Sequence, residues 1–212
     1  VRTASGTVVD YLTGAGDGLN VNVYDYGADS TGAVECSGRI QSAVNACASG
    51  VVHFPAGTYL IATTITLPNS GVTLQGDGSK ATKLQASGDH TNLLTVSAGL
   101  TDVTIRDMWL ACAWVTTDPD ANIDWGSAIY AWGTSGSKIT RLTVEGCYFT
   151  STHVDVNMSY CEYPRIVHNT AYNEAYGLCH IFMTRVNHAR VSGNAWTAAT
   201  SGVANSVYTQ VQ

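Results

Sequence analysis

The sequence predicts an all-β fold, a parallel β-helix with a short capping helix near its N-terminus. Strand-like segments of similar pattern recur along the chain, whereas an amphipathic helical pattern stands out at one place, ahead of most of them. Composition agrees with this prediction, because only 12% of the 212 residues are charged while Gly, Ser, Thr and Asn are abundant. Hydroxyls and amides, not charges, would therefore make the surface polar.

Residues 51–61, with the sequence VVHFPAGTYLI, predict two short strands separated by a bend. Pro55 has no backbone N–H to donate to a neighbouring strand, and Gly57 allows the backbone angles of a turn. The flanking residues are β-branched, apolar or aromatic, as is typical of strands. The stretch contains no Asn-Gly or Asp-Gly pair, so we expect a bend between two walls of a coil and not a hairpin.

Five later segments of six residues align without gaps and define an internal repeat. Each has an apolar residue at its third position, and these residues are Leu74, Ile105, Val144, Ile166 and Val191. The spacings are 31, 39, 22 and 25 residues. A spacing near 22 to 25 residues without a helical pattern predicts one coil of a β-helix, and the longer spacings predict inserted loops. Asn169 and Asn194 end two segments, and we expect them to stack at a tight turn with left-handed backbone angles.

The predicted helix has apolar residues at helical spacing. Ile40, Ala43, Val44 and Cys47 lie on one face, and Gly50 ends the helix. We expect this helix to cover one end of the β-structure. Residues 1–20 are interpreted as an arm and residues 21–212 as the β-helix domain, whose other end would be covered by further chain or by other subunits.

Charge and cysteine usage exclude several classes of partner. The formal net charge is −6, so nucleic acid and anionic membranes are poor partners. No stretch approaches the roughly 20 apolar residues of a membrane-spanning helix. The six cysteines include no Cys-x-x-Cys pair, so the sequence predicts no zinc site and no cofactor, and we expect mostly buried thiols.

Four parts of the chain resemble the start of the pectate-lyase-like β-helix superfamily. They are residues 22–27 (NVYDYG), the predicted helix, residues 53–60 (HFPAGTYL) and residues 72–78 (VTLQGDG). The resemblance implies a right-handed β-helix over roughly residues 20–200. The superfamily includes phage tailspikes, exopolysaccharide depolymerases and some fungal glucanases. It therefore implies a polysaccharide partner, a homotrimer or larger assembly, and an extracellular or virion location, without separating enzymes from structural spikes. The acidic pair that the family carries before its helix is reduced here to residues 30–37 (STGAVECS), whose acid we expect to serve the start of the helix.

The 25-residue spacing also predicts which residues lie side by side near the C-terminus. Val154, Val156 and Met158 would pair, as inward-facing residues, with Cys179, Ile181 and Met183. Outward-facing residues between them would place Asp155 beside His180 and Asn157 beside Phe182. Matching Ile129 and Ala131 to the same inward columns predicts Tyr130 beside Asp155 and Trp132 beside Asn157, since parallel strands lie about 4.8 Å apart.

Such an outward face suits a polysaccharide. The rings of Tyr130, Trp132 and Phe182 could stack on sugar rings, while Asn157 and His153 could bond hydroxyls. Asp155 and His180 could act as an acid/base pair. The alternative is an ordinary strand face, either solvated or covered in a trimer.

Residues 111–127 form a second candidate site within the longest spacing of the repeat. The loop carries three carboxylates and two aromatic platforms, namely Asp118, Asp120, Asp124, Trp114 and Trp125. Paired carboxylates about 5 to 9.5 Å apart could hydrolyse a glycosidic bond. The alternative is a turn-rich loop in which Asp and Pro set the backbone geometry.

The sequence leaves three functions open. The first is a tailspike-like or appendage-like surface protein that contacts cell-surface polysaccharide, the second a glycan hydrolase or lyase, and the third a purely structural spike. An enzyme requires at least two acids within reach of one groove, whereas a binding protein would show aromatic residues there without paired acids. A calcium-dependent lyase is disfavoured, because no cluster of acids accompanies Arg185.

Overall fold

A computed structural model describes residues 20–88, 92–112, 126–173, 179–198 and 205–210. Within these ranges the chain winds into a solenoid of parallel strands, which confirms the predicted all-β fold. Three walls, here called sheets A, B and C, run along the solenoid, and a two-stranded sheet D lies at one corner. All the strand pairs of these sheets are parallel, as one-directional winding requires.

Each coil after the first contributes one strand to each wall in the order A, B, C, and the first coil contributes strands to sheets A and B alone. Sheet A contains β1 Asn20–Asn22, β3 Gly50–Phe54, β6 Val72–Gly76, β9 Thr104–Arg106, β13 Thr143–Glu145, β17 Arg165–Val167 and β20 Arg190–Ser192. Sheet B contains β2 Thr31–Glu35, β4 Gly57–Ile61, β7 Thr82–Ala86, β10 Trp109–Ala111, β14 Tyr148–Thr150, β18 Thr170–Asn173 and β21 Ala195–Ala198. Sheet C contains β5 Ile65–Leu67, β8 Leu94–Val96, β11 Ser127–Trp132, β15 Val154–Ser159, β19 Cys179–Thr184 and β22 Asn205–Gln210. Sheet D contains β12 Ile139–Thr140 and β16 Cys161–Glu162.

The predicted repeat is confirmed residue by residue in sheet A. The five apolar third positions are direct cross-strand partners in the order Leu74, Ile105, Val144, Ile166 and Val191. The first four are buried, and the interior they line is one continuous apolar core. Stacking of identical positions therefore builds the core, and the longer spacings of the sequence contain residues that leave this register.

The helix α1 covers the N-terminal end of the core. It spans Ser37–Ala46 and buries Ile40, Ala43 and Val44 completely, as the helical spacing predicted. Gln41 also pairs with the backbone of Thr66 on β5, through Nε2 to the carbonyl and Oε1 to the N–H, both at 2.8 Å. The helix thus satisfies backbone groups on the first strand of sheet C, which would otherwise be a free edge.

The segment before the helix has two local features. The three-residue strand Asn20–Asn22 is followed by a 3-10 helix, Val23–Tyr26, because the Asn22 side chain caps that turn by accepting from the Tyr24 N–H. Strand β2 follows and pairs with β4 although it is polar and mostly exposed. Glu35 does serve the helix start, since its Oε1 accepts from the Ser37 N–H at 2.6 Å.

Two-residue turns connect sheet A to sheet B in the last four described coils. The first residue of each turn has left-handed backbone angles, and these residues are Asp107, Gly146, His168 and Gly193. Asn169 and Asn194 follow at the second position, so the predicted stacking is confirmed, but the left-handed residue is the one before each Asn. Asn169 Nδ2 donates to Asn194 Oδ1 at 3.0 Å and to the Val144 carbonyl at 3.0 Å.

The cysteines are all free thiols and all buried, as expected. Burial raises the pKa of the Cys147 and Cys161 thiols to about 12, so both are protonated and unreactive at neutral pH. In the described part of the chain, no helix is long and apolar enough to cross a membrane.

Candidate functional site

Six residues of sheet C lie on the side of strands β11, β15 and β19 that faces away from the core, here called the sheet C face, and only Tyr130 and Trp132 among them are not buried. In register they make two rows across the strands, which are Tyr130, Asn157 and Phe182, then Trp132, Ser159 and Thr184. Their neighbours along each strand, such as Ile129, Val156 and Ile181, belong to the interior core. Alternation of side chains in a strand therefore directs the six residues away from the core.

The predicted register between β15 and β19 is confirmed, but that between β11 and β15 is wrong by two residues. Ile129 pairs with Val156, so Tyr130 lies beside Asn157 and Trp132 beside Ser159. Residues 133–138 separate β11 from the corner strand β12, whereas Tyr160 alone separates β15 from β16. This five-residue insertion makes the repeat 27 residues long in sheet C and 22 in sheet A, which a single spacing cannot represent.

Asp155 and His180 are neighbours, as predicted, but they do not face solvent. His180 Nδ1 lies 2.6 Å from Asp155 Oδ2, and the two residues are 1% and 2% exposed. Thr152 Oγ1 donates a hydrogen bond to the other carboxylate oxygen, Asp155 Oδ1. The prediction that both side chains lie on the outward face is therefore wrong.

The reason is an irregularity at the start of these strands. Val154 pairs with Cys179, and Val156 pairs with Ile181. Val154 and Cys179 pack with Phe182 in a small cluster apart from the main core, whereas Val156 joins that core. Side-chain direction thus changes phase at Asp155, as it does where a strand bends, and simple alternation fails there.

The surroundings of the Asp155–His180 pair are apolar and aromatic. The Trp196 ring, which packs against the core, stacks on the His180 ring with centroids 5.5 Å apart. Burial, reinforced by the Asp155 charge, raises the pKa of the Cys112 thiol above its usual range and that of Cys179 to about 12. The pair therefore lies close to both thiols, inside the corner between sheets B and C.

Two of the three aromatic residues of the sheet C face form a stacked pair. The rings of Tyr130 and Trp132 stack with centroids 5.3 Å apart and planes 5° from parallel. Trp132 is 39% exposed, and Tyr130 is partly buried. Burial raises the pKa of the Tyr130 hydroxyl, so it stays a protonated hydrogen-bond donor.

Polar atoms on the same face lack partners in the described part of the chain. Asn157 Oδ1, Ser159 Oγ and Thr184 Oγ1 are buried and make no hydrogen bond there. Leaving such groups unpaired is costly, so a partner outside the described residues would stabilise them. His153, also predicted for this face, is partly buried just before β15, and its N–H donates to the Gly126 carbonyl at 3.3 Å.

The second predicted site lies outside the described residues. It comprises the loop residues Asp118, Asp120, Asp124, Trp114 and Trp125. Among the residues that the structure describes, no cluster of three or more His, Cys, Asp or Glu side chains could hold a metal ion.

Sequence reasoning missed a groove of about 470 Å³ on the outer surface of sheet B. Lys83, Trp109 and Tyr148 line it, together with residues of the neighbouring row. The alternation of polar and apolar residues in Thr82–Ala86 signals that Lys83 and Gln85 face outward. The predicted repeat fixes which residues of sheet A are neighbours, and applying the same spacing to sheet B would have predicted the two rows of outward side chains that line the groove.

Comparison with known proteins agrees with this fold. A family model described as rhamnogalacturonase A/epimerase, pectate lyase-like, matches residues 20–119, somewhat less than half of the chain. No curated protein sequence matches the chain.

Three solved structures illustrate the likeness. A candidate glycosyl hydrolase from Parabacteroides merdae is 14% identical with a TM-score of 0.70, covering 91% of this chain and 95% of its own. The catalytic domain of a GH87 α-1,3-glucanase in complex with tetrasaccharides is 18% identical with a TM-score of 0.62, covering 92% and 31%. The A-module of the Azotobacter vinelandii mannuronan C-5 epimerase AlgE6 is 16% identical with a TM-score of 0.55, covering 83% and 57%.

These likenesses establish the fold. The chain spans nearly all of the first structure but only about a third of the glucanase domain and just over half of the epimerase module. The predicted resemblance to the pectate-lyase-like, right-handed β-helix superfamily is confirmed.

Proposed function

We propose that this pectate-lyase-like β-helix is a surface protein that binds a cell-surface polysaccharide along its sheet C face. The observation that carries the proposal is the stacked pair of Tyr130 and Trp132, with Trp132 39% exposed. A flat, partly exposed aromatic ring complements the apolar face of a sugar ring, and its hydrogen-bonding neighbours complement the sugar's hydroxyls.

The polar half of that complementarity comes from the next two strands. Asn157 Oδ1, Ser159 Oγ and Thr184 Oγ1 are buried without a hydrogen-bond partner among the described residues. A sugar hydroxyl can donate to an amide or hydroxyl oxygen, so a glycan that reaches these buried atoms would satisfy them. A glucanase catalytic domain of similar fold was solved in complex with tetrasaccharides, which supports a saccharide ligand.

Binding is favoured over catalysis by the position of the acids. None of the six residues of the sheet C face is a carboxylate. Asp155 is 1% exposed and already holds hydrogen bonds from Thr152 and His180. Hydrolysis by paired carboxylates requires two acids that reach the same bond.

A glycan hydrolase or lyase is the second candidate function. The hydrogen-bonded Asp155–His180 pair favours it, because an imidazole oriented by a carboxylate is a common acid/base unit. If this pair acts in catalysis, Asp155→Asn lowers the turnover rate about 10²- to 10⁴-fold without abolishing polysaccharide binding. An assay for new reducing ends and for unsaturated products tests both kinds of cleavage.

The location and assembly belong to the same proposal. We place the protein outside the cell or on a virion surface, as a homotrimer or larger assembly, and its low content of charged residues supports that setting. Light scattering on the purified chain at several concentrations measures the assembly. A monomer at every concentration contradicts the oligomer, but it leaves the binding proposal standing.

Binding is tested with a panel of purified bacterial capsular polysaccharides and exopolysaccharides. For a polysaccharide that binds, Trp132→Ala weakens binding by roughly 1–3 kcal/mol, the amount typical of losing an aromatic anchor. Tyr163→Ala is the matched control, because Tyr163 is 51% exposed and lies at a corner outside the face. If the Trp132→Ala variant binds the polysaccharide as tightly as the native protein does, the sheet C face is not the site. If no polysaccharide in the panel binds, the result supports a purely structural spike.

A further inference from the structure

We infer that sheet B carries a second binding site, distinct from the sheet C face, which takes an acidic saccharide. The site is the groove of about 470 Å³ on the outer surface of strands β7, β10, β14 and β18. Its volume falls within the range of about 300–1,000 Å³ that is usual for small-molecule sites. The inference goes beyond the proposed function, because it concerns a different wall of the solenoid.

The strand register builds the groove from two rows of outward side chains. One row contains Lys83, Trp109 and Tyr148, and the other contains Gln85, Ala111, Thr150 and Tyr172. Ala111 has the smallest side chain in its row and is buried, so the surface dips between Gln85 and Thr150. Large side chains around a small one make a concave surface on a wall that would otherwise be flat.

Aromatic rings hold two ammonium groups at this surface. Lys83 Nζ lies 4.3 Å from the centre of the Trp109 ring, and Lys80 Nζ lies 4.5 Å from the centre of the Tyr148 ring. The two rings meet edge to face, 5.3 Å apart. Cation–π attraction favours these lysine conformations before any ligand arrives, which lowers the entropy lost on binding.

The charge of the groove differs from that of the whole molecule. The ten described residues that line it include Lys83 and no Asp or Glu, although the chain has a net charge of −6. Neither Lys80 nor Lys83 forms an ion pair with a described residue. A negatively charged group can therefore approach both ammonium groups without meeting a carboxylate of a described lining residue.

Uncharged groups in the wall suit the hydroxyls of a sugar. Trp109 Nε1 donates to Thr150 Oγ1 at 2.8 Å, so the Thr150 hydroxyl keeps its own hydrogen for a ligand. Gln85 adds an amide, and Tyr172 adds an aromatic ring with a hydroxyl. Fixed cations beside neutral donors and an aromatic surface match a saccharide that carries carboxylate or sulfate groups better than a bare anion.

Titration calorimetry on the full chain tests the site with three hexasaccharides. They are a galacturonate oligomer for carboxylates, a heparin-derived oligomer for sulfates, and neutral cellohexaose. We expect at least one acidic probe to bind, with cellohexaose at least tenfold weaker, and the tighter acidic probe identifies the anionic group. Lys83→Gln should weaken that binding about tenfold, a 1.4 kcal/mol loss. Lys138→Gln removes the same charge outside the groove and should change the affinity less than twofold.

The position of the bound acidic probe is measured separately from its affinity. The indole N–H resonance of Trp109, assigned with Trp109→Phe, should shift on adding the acidic probe, and Trp132→Ala should leave the affinity for that probe unchanged. Equal binding of cellohexaose, unchanged affinity in Lys83→Gln, or a loss caused by Trp132→Ala instead of Lys83→Gln overturns the inference. Because the proposed function depends on Trp132 and this site on Lys83, the failure of one is distinguishable from the failure of the other.

Discussion

His180 and Asp155 form a hydrogen-bonded pair across two adjacent strands, with His180 Nδ1 2.6 Å from Asp155 Oδ2 and both side chains shielded from solvent. The Trp196 ring covers the imidazole, and Thr152 bonds the second carboxylate oxygen. Polar groups inside a solenoid are stable only while each is paired, so the contact ties strand β19 to strand β15.

His180→Ala should therefore destabilise the protein strongly. The substitution leaves the Asp155 carboxylate buried without its imidazole partner, and breaking a buried pair in this way costs about 3–5 kcal/mol. Urea unfolding followed by circular dichroism measures the change in the free energy of unfolding. His188→Ala is the control, because His188 is exposed at a corner, and it should cost less than about 1 kcal/mol. A loss of similar size in both variants contradicts a structural role for the pair.

Asn169→Ala should also destabilise the protein, through the backbone groups that the amide satisfies. Asn169 Oδ1 accepts from the Cys147 N–H at 2.9 Å, and Nδ2 donates to the Val144 carbonyl at 3.0 Å. Each buried group left unpaired costs about 1–3 kcal/mol. The same urea experiment applies, with the exposed Asn187→Ala as the control. A cost below 1 kcal/mol for Asn169→Ala contradicts this account.

The thiols should be unreactive in the native protein. All six are buried, and burial raises the pKa of Cys147, Cys161 and Cys179 to about 12, so little thiolate exists at pH 8. Ellman's reagent should therefore detect no thiol within minutes in native buffer and all six in guanidinium chloride. Rapid reaction of the native protein indicates that at least one thiol is accessible, and fewer than six in denaturant indicates a disulfide.

The Asp102–Arg141 ion pair should make stability depend on acid pH. The two hydrogen bonds from Arg141, both 2.6 Å long, lower the pKa of the Asp102 carboxyl. Because the folded pKa lies below the unfolded one, the contribution is complete above the unfolded pKa and is lost as pH falls through the folded pKa. The difference in Tm between the native protein and Asp102→Asn should be present at pH 7 and shrink toward pH 2.

Arg141→Gln provides the reciprocal measurement. It removes the other partner of the same pair and should show the same shrinking difference in Tm. A difference that stays constant from pH 7 to pH 2 in both variants shows that the ion pair does not contribute to stability.

The fold could be predicted from the sequence because its determinants repeat. Leu74, Ile105, Val144, Ile166 and Val191 occupy one column, so a single alignment of segments found the register of a whole wall. The helix was equally readable from the spacing of Ile40, Ala43 and Val44. Strand β2 was not readable, because it is held by pairing with β4 and buries no apolar side chain of its own.

The candidate site was predicted only in part, for two physical reasons. The insertion at residues 133–138 lies between two strands, so the spacing in sheet A does not carry over to sheet C, and Tyr130 lies beside Asn157 instead of Asp155. The side-chain direction at Asp155 depends on a local irregularity at the start of strand β15, which leaves no trace in the alternation of polar and apolar residues. The prediction that Asp155 and His180 are adjacent was still correct, because it depends only on the 25-residue spacing between β15 and β19.

The two-residue turn that joins sheets A and B in the last four described coils bears on where foreign segments could be displayed on this scaffold. Each such turn begins with a left-handed residue, and two of them hold the stacked Asn169 and Asn194, so extra residues there would disrupt this stack. The corner after sheet C already differs by five residues between neighbouring coils without disturbing the register on either side. Peptide grafts and loop transplants should therefore be placed at residues 133–138, where the scaffold already tolerates a change of length.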